Sequence, residues 1–352
     1  MNVYIFSNKP NPLKNIFPKN VIFLTLTALP KHSPESEDIS YIDVSGLSEP
    51  DLKKALTKLK TKCNPAAGQN SSWGIVDPKN SIKDISALFF DGASDYLGAG
   101  ALKKINIKRI KEAQQWGCRR QERGKIVGAA AGSNANNAGG SNVQDVKFFY
   151  NDIRLPLPNV FPGWKKIKAG TSMPFYILYG SVQGKTSLDV RFNEKTVAVI
   201  HKRFVNYLED NLCDSDGLLW MNSSKDCLFL FPPKAKCAED IINVCFKMLI
   251  AAPLLTMEVL KIPVPANFVL ALHYGTIKYK PPGQTGTVVS DAVNFVFHLG
   301  TKKAEPGRLT LSGELPGGSV PKALQDCFIY TSDFEGRNIR QSKKFVYPKE
   351  WV

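Results

Sequence analysis

The feature that most constrains this chain is a run of small and polar residues near its middle, GAAAGSNANNAGGSN at residues 128–142. Glycine, alanine, asparagine and serine side chains bury too little apolar surface to stabilise a packed structure, so this run predicts a flexible linker. It divides the 352 residues into two parts, each of ordinary domain size. We therefore expect one domain over residues 1–125, a linker over 126–145 and a second domain over 146–352.

The chain is strongly basic, with 46 Lys and Arg against 31 Asp and Glu and a formal net charge of +15. Such a charge attracts polyanions but does not determine a fold. Basic residues are concentrated at 103–125, where Ile107, Ile110 and Ala113 form a partial apolar stripe at helical spacing. This stretch could be a polyanion-binding surface or the solvated last helix of the first domain, and we favour the helix.

Cysteine usage and hydropathy indicate the compartment. The seven cysteines contain no CxxC pair, which is typical of reduced thiols in a cytosolic protein. The longest apolar stretch, residues 245–255, is interrupted by Lys247 and Pro253, and the first apolar run is too short for a signal peptide. We therefore expect a soluble, cytoplasmic protein.

The first part of the chain alternates hydrophobic strands with more polar connections. Strands are predicted at Val3–Phe6, Val21–Leu26, Ile39–Val44 and Trp73–Val76, which are rich in Val, Ile and aromatic residues. A helix is predicted at Leu52–Leu59, whose leucines recur on one face. Helices between hydrophobic strands predict an α/β domain with a flavodoxin-like parallel sheet.

Two segments of this first part are similar to response-regulator receiver domains. Residues 39–46, ISYIDVSG, resemble the strand that ends in the phospho-accepting aspartate, which would be Asp43. Residues 92–97, GASDYL, resemble the segment before the last receiver helix. The resemblance implies an acidic pair for Mg²⁺ and a lysine, but Ser7-Asn8 and Ala99 occupy these positions. We therefore expect a pseudo-receiver, in which Asp43 is either a phospho-acceptor or a strand-end aspartate in a turn contact.

The second part mixes strands and helices in a different order. Extended segments are predicted at Phe175–Leu178, Val190–Phe192, Asn267–Tyr274, Gly275–Tyr279 and Arg308–Leu311. A hairpin is predicted from Leu218–Met221 and Cys227–Phe231. Helices are predicted at Lys195–Leu208, Ala238–Ile250 and near Ser290–Leu299. This order predicts an α+β domain in which helices cover one sheet.

The first predicted strand of this part leads into a segment that is similar to the opening motif of class III nucleotide cyclases, Asp-Ile-x-Gly-Phe-Thr-x-Leu. Residues 175–188, FYILYGSVQGKTSL, match the register of the motif without a gap. The glycine, threonine and leucine of the family fall on Gly184, Thr186 and Leu188. The first metal-binding aspartate of the family falls on Ser181.

The predicted hairpin, residues 217–231, resembles the second landmark of the same family, a hairpin with Gly-Asp at its turn. The gapless alignment places the second metal-binding aspartate on Lys225, and a one-residue shift places it on Asp226. We favour the gapless alignment, although hairpin turns are where registers slip. The position that would read the purine is Met221, which is apolar.

The remaining landmarks lie further along the chain. Residues 269–275, VLALHYG, resemble the strand Gly-Ile-x-x-Gly, and residues 290–299, SDAVNFVFHL, resemble the helix Gly-x-x-Val-Asn-x-Ala-x-Arg-Leu. Asn294 matches the asparagine that orients the ribose, whereas His298 replaces the arginine that stabilises the transition state. Glu335 stands where the phosphate-binding strand of the family has lysine.

This resemblance implies a ferredoxin-like sheet covered by helices, and an active site shared between two domains that each contribute half. In the family, two carboxylates hold two divalent ions. Ser181 is a poor ligand for such hard cations, a lysine at or beside the second position repels them, and His298 lacks the permanent charge of arginine. We therefore expect no enzyme activity, no intact catalytic residue and no bound metal or cofactor, with nucleotide binding without turnover as a remaining role.

These inferences predict a two-domain signalling protein that acts through dimerisation or partner binding of its cyclase-like part, as a homodimer or heterodimer. One alternative is an active nucleotide cyclase that uses unusual metal ligands, Asp226 or Asp189, or a complementing partner chain. A second alternative is an adaptor that binds nucleic acid or an acidic membrane surface through the basic stretch 103–125.

Overall fold

The computed structural model describes residues 1–63, 71–130, 161–184, 188–262, 264, 266–285 and 290–351, without the side chains of 120–130, 184, 189 and 235. The chain divides into two compact units. The first unit contains Met1–Asn151 and Tyr347–Val352, and the second contains Asp152–Val346. Most of the predicted linker, residues 131–145, lies outside the described residues.

The first unit is built on a parallel sheet. Its described strands are β1 (Val3–Phe6), β2 (Val21–Leu24), β3 (Ile39–Asp43), β4 (Ser72–Asp77) and β5 (Asp95–Gly98). They are ordered β2-β1-β3-β4-β5, and every neighbouring pair is parallel. β3 and β4 are buried along their whole length, as in a sheet covered on both faces. This sheet is consistent with the predicted flavodoxin-like fold.

Helices connect these strands. The described α-helices are α1 (Pro10–Lys14), α2 (Glu49–Cys63), α3 (Ile85–Phe90), α4 (Ala99–Leu102) and α5 (Ile107–Ala130). A 3₁₀ helix, Leu26–Lys31, follows β2. The end of α2 faces the core through Leu59 and Cys63, which are buried.

Helix α5 contains most of the basic stretch 103–125. Its predicted apolar stripe faces the core, since Ile110 and Ala113 are both buried. The helix lies so close to the sheet that a Cβ on Gly117 would be 2.0 Å from Oγ of Ser94. It extends to Ala130, beyond the domain end expected at residue 125, because the alanines and valine that follow are compatible with helix.

A buried ion pair fixes α5 against the sheet. Nη2 of Arg109 donates to Oδ1 of Asp95 at 3.0 Å, and the hydroxyl of Tyr41 donates to Oδ2 of the same carboxylate at 3.0 Å. Burial raises the pKa of Asp95, an effect opposed by the neighbouring arginine. Breaking a buried ion pair leaves an uncompensated charge, which is energetically costly. These three side chains therefore favour the packing arrangement of β3, β5 and α5 that keeps them in contact.

The C-terminal segment belongs to the first unit. Trp351 is buried and lies with its ring centroid 5.6 Å from Phe89 and 5.0 Å from Trp116. Glu350 pairs with Lys108 at 2.6 Å, and its backbone amide donates to the Glu112 carboxylate at 2.9 Å. The expected second domain, 146–352, therefore ends too late, because the apolar surface that covers Trp351 lies on α3 and α5.

The second unit is built on a mixed sheet. Its described strands are β6 (Ser172–Gly184), β7 (Leu218–Asn222), β8 (Asp226–Phe231), β9 (Ala266–Lys278), β10 (Arg308–Ser312), β11 (Phe328–Phe334) and β12 (Arg337–Ser342). They are ordered β11-β12-β10-β9-β6-β8-β7. β9 and β10 are parallel, and the other paired strands are antiparallel.

Helices cover both faces of this sheet. The described α-helices are α6 (Leu188–Arg191), α7 (Glu194–Leu212), α8 (Ala235–Ile250), α9 (Ala252–Glu258) and α10 (Asp291–His298), and a π-helical turn, Leu299–Lys303, continues α10. Phe204 and Leu208 of α7 would contact a Cβ on Gly180, which places α7 on one face. Phe295 of α10 packs in the core on the opposite face.

One predicted strand is absent. Val190 and Arg191 belong to α6, not to the extended segment expected at Val190–Phe192. Leu188 is buried at the start of this helical turn, and Oδ1 of Asn193 accepts from the amide of Thr196 at 2.9 Å to cap α7. A helix cap directly after residue 192 leaves no length for a strand.

Among the described residues, no single helix has the length and apolar composition of a membrane span. Two successive helical stretches, Lys236–Ile250 and Ala252–Glu258, reach that composition only together and are bent by 77° where they meet. The seven cysteines are all free thiols.

The packing of Trp351 predicts that the last residues stabilise the first unit. Replacing Trp351 with alanine should lower the free energy of unfolding of this unit by roughly 2 kcal/mol, somewhat less than a fully central aromatic residue contributes. Urea unfolding of the full chain followed by circular dichroism measures this change. Lys349→Ala, at an exposed neighbouring position, is the matched control. Equal stability of the two variants would contradict the assignment of this segment to the first unit.

Candidate functional site

The candidate site lies where β6, β8 and β9 pair. Across the β6–β8 ladder Ser181 is the direct partner of Asp226, and Tyr179 is the partner of Leu228. Across the β6–β9 ladder Ser181 is the partner of Val269. Directly paired residues project from the same face of a sheet, so Ser181 and Asp226 are neighbours on the face that α10 covers.

The β7–β8 turn places the carboxylate of Asp226. Oγ of Ser223 donates to Oδ1 of Asp226 at 2.7 Å, and the amides of Lys225 and Asp226 both donate to that Oγ at 3.1 Å. Lys225 lies in the turn and does not pair with β6, whereas Asp226 begins β8. Asp226, not Lys225, therefore lies opposite Ser181 in the sheet, and which of the two matches the second metal-binding aspartate stays a prediction.

Ser181 itself is a buried hydroxyl. Its side chain is 5% exposed, and among the described residues its Oγ makes no hydrogen bond of normal geometry, its polar contact being a weak one with the hydroxyl of Tyr179. Buried hydroxyls are normally well paired, so one with only a weak contact is a feature that needs an explanation. A bound cation or a ligand hydroxyl would supply one.

Tyr179 forms the inner wall beside Ser181. Its ring meets Phe297 edge-on at 5.9 Å, and a Cβ on Gly300 would lie 2.2 Å from its Cδ1. Only glycine therefore fits at residue 300, in the π-helical turn that follows α10. Burial raises the pKa of Tyr179 to about 12, an effect that the hydroxyl of Ser181 opposes and the charge of Asp226 adds to. The sequence motifs did not reveal this close approach, because the position of a glycine in the sequence does not show which side chain it packs against in the fold.

Helix α10 carries the other two predicted site residues. Asn294 is exposed and His298 is half-exposed one turn later, so both lie on its outer face, whereas Phe295 is buried on its inner face. Nδ1 of His298 lies 2.8 Å from Oε1 of Glu335. Two positions that sequence reasoning identified separately, His298 and Glu335, are therefore in contact.

Glu335 reaches His298 because of the turn that carries it. Glu335 and Gly336 connect β11 to β12, and both have positive φ, 50° and 76°. A two-residue hairpin loop with positive φ at both positions matches the twist of the flanking strands. The glutamate thus occupies a strained left-handed position that the hairpin holds in place.

A charged cluster positions α10 on the sheet. The guanidinium of Arg337 pairs with Asp291 at the start of α10 and, through Nε, with Oε1 of Glu314 at 3.3 Å. The same guanidinium lies 4.3 Å above the ring of Phe295. His273, buried in β9, lies 3.6 Å from Glu314. Sequence analysis missed this cluster, because its members are far apart in the chain.

The donors near Asp226 do not fit two metal ions. Among the described residues no group of three or more His, Cys, Asp and Glu side chains could hold a metal. Asp226 is the one carboxylate that pairs with Ser181, and Asp189 lies in α6 with its side chain outside the described residues. One carboxylate and one hydroxyl supply too few hard ligands for two divalent ions.

In the first unit, Asp43 is buried at the end of β3. Its Oδ2 accepts from Oγ of Ser7 at 2.6 Å, and its Oδ1 accepts from the amide of Ser45 at 2.9 Å. Its side chain is 3% exposed. The bond to the Ser45 amide is the turn contact that the sequence analysis expected, and Asp43 remains a predicted phospho-acceptor to which the fold gives little access.

Ala99 stands at the position that was compared with the receiver lysine. Its amide donates to Oδ1 of Asn80 at 2.8 Å.

No model of a protein family matches the chain, and no curated protein matches it. Solved structures of nucleotide cyclase domains do match about half of it. A guanylyl cyclase is 16% identical, covers 52% of this chain and 98% of its own, and has a TM-score of 0.40. An adenylyl cyclase from P. aeruginosa is 14% identical, with 51% and 97% covered and a TM-score of 0.36.

A dimeric guanylyl cyclase domain from the aquatic fungus Blastocladiella emersonii is 13% identical, covers 50% of this chain and 98% of its own, and has a TM-score of 0.37. All of these matching proteins are named as enzymes. The expectation that this chain is no enzyme is therefore corrected, since the matches are to adenylyl and guanylyl cyclases.

His273, in the charged cluster that positions α10, is predicted to have a lowered pKa. Burial lowers the pKa of His273 below its ordinary value of 6.5, so the ring, which contacts Oγ of Ser312 at 2.8 Å, is neutral at pH 7. The folded state then binds fewer protons than the unfolded state, and this histidine destabilises the fold as the pH falls below about 6.5. An NMR titration of the histidine rings, assigned with His273→Gln, should give His273 a midpoint below 6.5. A midpoint at or above 6.5 would contradict this assignment.

Proposed function

We propose that the second unit binds a nucleoside triphosphate and cyclises it slowly, with Asp226 as the essential carboxylate and a second copy of the chain completing the site. The observation that carries this proposal is the direct pairing of Ser181 with Asp226. It brings a carboxylate beside a buried hydroxyl that makes only a weak contact with Tyr179, on the sheet face beneath α10.

Asp226 would hold one divalent cation together with the phosphates of the substrate, since hard cations prefer carboxylate and phosphate oxygens. Such an ion, when bound, supplies charge neutralisation at the triphosphate. The hydroxyl of Ser181 can donate a hydrogen bond to a ligand oxygen or accept one from a ligand hydroxyl. A cyclase with one carboxylate at this position should be slow, because a second ion has no second carboxylate to hold it.

The outer face of α10 would contact the rest of the nucleotide. The Asn294 amide is exposed and can both donate to and accept from ribose oxygens. His298 can place positive charge near the phosphates only when protonated, and Glu335 lies 2.8 Å from its Nδ1. The pair is weaker than an arginine, which is always charged and forked, and this again supports a slow reaction.

The two-unit organisation supports a signalling role for this reaction. A parallel α/β unit precedes the cyclase-like unit, and the chain returns to the first unit at residues 347–352. Both ends of the second unit are therefore joined covalently to the first. We propose that the first unit regulates the second, which would act as a homodimer or with a related partner chain.

The direct test is formation of cyclic nucleotide from ATP or GTP with Mg²⁺ or Mn²⁺. We expect slow product formation above a protein-free blank, and a loss of at least about tenfold in Asp226→Asn, because the amide cannot replace a carboxylate on a hard cation. Asp210→Asn, the same chemical change at an exposed position of α7, is the matched control. Absence of product with every nucleotide and ion, or equal loss in both variants, would reject the proposal.

A second prediction concerns the missing carboxylate. Ser181→Asp restores two facing carboxylates across the β6–β8 ladder, so the rate in Mn²⁺ should rise by about tenfold if the site holds the reacting phosphates. Ser181→Ala is the control for the loss of the hydroxyl, and thermal unfolding of each variant checks that it folds. A folded Ser181→Asp variant with a rate no higher than that of the natural chain would show that Asp226 and Ser181 are not a metal-binding pair.

A further inference from the structure

A cleft opens at the carboxyl edge of the parallel sheet in the first unit. In the order β2-β1-β3-β4-β5 the chain leaves β1 toward β2 on one side and later places β3 on the other side of β1. The loops after β1 and β3 therefore diverge, and such a switch point is where open α/β sheets form a ligand crevice. The cleft is lined by residues after β1, β2 and β3 and by one face of α2: Asn8, Leu26, Leu29, Leu47, Asp51, Lys54, Ala55 and Lys58.

Hydrogen bonds fix two of the loops that border the cleft. Oγ of Ser7 donates to Asp43 and accepts from the amide of Lys9 at 3.0 Å, which ties the loop after β1 to β3. The amide of Ser45 donates to the other oxygen of Asp43. Both oxygens of the carboxylate are thus occupied, and the loops that carry Asn8 and Leu47 are held in place before any ligand binds. A preorganised crevice loses less entropy on binding.

The α2 side of the cleft is basic. Lys54 and Lys58 are one helical turn apart, so their side chains project from the same face, and both are exposed. Among the described residues neither forms an ion pair, in contrast to Lys60, which binds Asp91. Two adjacent ammonium groups without a partner suit a doubly charged phosphate group better than a single carboxylate. Asp51, whose Oδ2 accepts from Ser48 at 2.6 Å, leaves this side with a net positive charge.

The opposite side is apolar. Leu26, Leu29 and Leu47 come from two different loops, and Leu29 is buried. The cleft has a volume of about 320 Å³, which is at the lower end of the range for small-molecule sites. A ligand that fills it must combine an anionic group with an apolar or planar body of mononucleotide size, and the Asp51 carboxylate can accept a hydrogen bond from a sugar hydroxyl.

We propose that this cleft binds a small organic phosphate of the nucleoside monophosphate class. The phosphate lies between Lys54 and Lys58, the sugar faces Asp51, and the base packs on the leucines. This site is separate from the nucleotide site proposed in the second unit. It gives the first unit a ligand-binding role that needs no phosphorylation of Asp43.

Isothermal titration calorimetry on the full chain tests this site with three probes: AMP, inorganic phosphate and adenosine. We expect AMP to bind with a dissociation constant at least tenfold lower than that of either fragment, because only AMP contacts both sides of the cleft. AMP affinity should also fall as salt is raised, since two ammonium groups contribute. Equal affinity for AMP and phosphate, or no binding of AMP, would overturn the proposal.

Substitutions in α2 test whether AMP binds in this cleft. Lys54→Ala combined with Lys58→Ala should weaken AMP binding at least tenfold, whereas the matched control, Lys53→Ala combined with Lys62→Ala on the same helix, should change it less than twofold. Lys53 and Lys62 do not line the cleft. Asp226→Asn separates this site from the one in the second unit. AMP binding that is lost in Asp226→Asn and kept in the Lys54/Lys58 variant would overturn the proposal, whatever the cyclase assay gives.

Discussion

The pairing of β6 with β9 is the constraint on which the second unit depends. The two strands pair residue for residue from Ser172 opposite Lys278 to Gly184 opposite Ala266. Because side chains alternate between the faces of a strand, this single register decides that Tyr179 and Ser181 face α10 while Gly180 faces α7. β8 then adds to β6 in the register that brings Asp226 opposite Ser181. A slip of one residue would exchange the two faces and remove the candidate site.

The position of α10 depends on contacts with two strands that are distant in the chain, β6 and β12. Gly300 allows the turn after α10 to pass against the ring of Tyr179, and Arg337 pairs with Asp291 while it stacks on Phe295. Asn294 is exposed and His298 is half-exposed because these contacts occupy the inner face of the helix. The chemistry of the outer face is set in part by the contact between His298 and Glu335.

In the first unit Asp43, which remains a predicted phospho-acceptor, also joins two loops. It is held by Ser7 and by the backbone of Ser45, so its charge is compensated by donors inside the unit. The same hydrogen bonds connect the loops that follow β1 and β3. Asp95 plays a comparable structural part, since Arg109 and Tyr41 bind its two oxygens and join α5 to the sheet.

Hydrophobic periodicity predicts most of the elements. β1, β3 and β4, the hairpin of β7 and β8, and the helices α7 and α8 all lie where it predicts them, because each buries its own apolar face. Asn294 lies in α10 as the sequence predicts, whereas β6 extends beyond the predicted strand Phe175–Leu178 and so includes Ser181.

Which of these residues meet depends on packing that the sequence pattern does not record. The hairpin register places Asp226 opposite Ser181, the β11–β12 turn brings Glu335 to His298, and Trp351 joins the first unit across more than two hundred residues. α6 replaced a predicted strand because the cap at Asn193 ends that segment. The physical reason is the same in each case: periodicity records which face of an element is buried, whereas the partner across a ladder or a core is set by packing between distant segments.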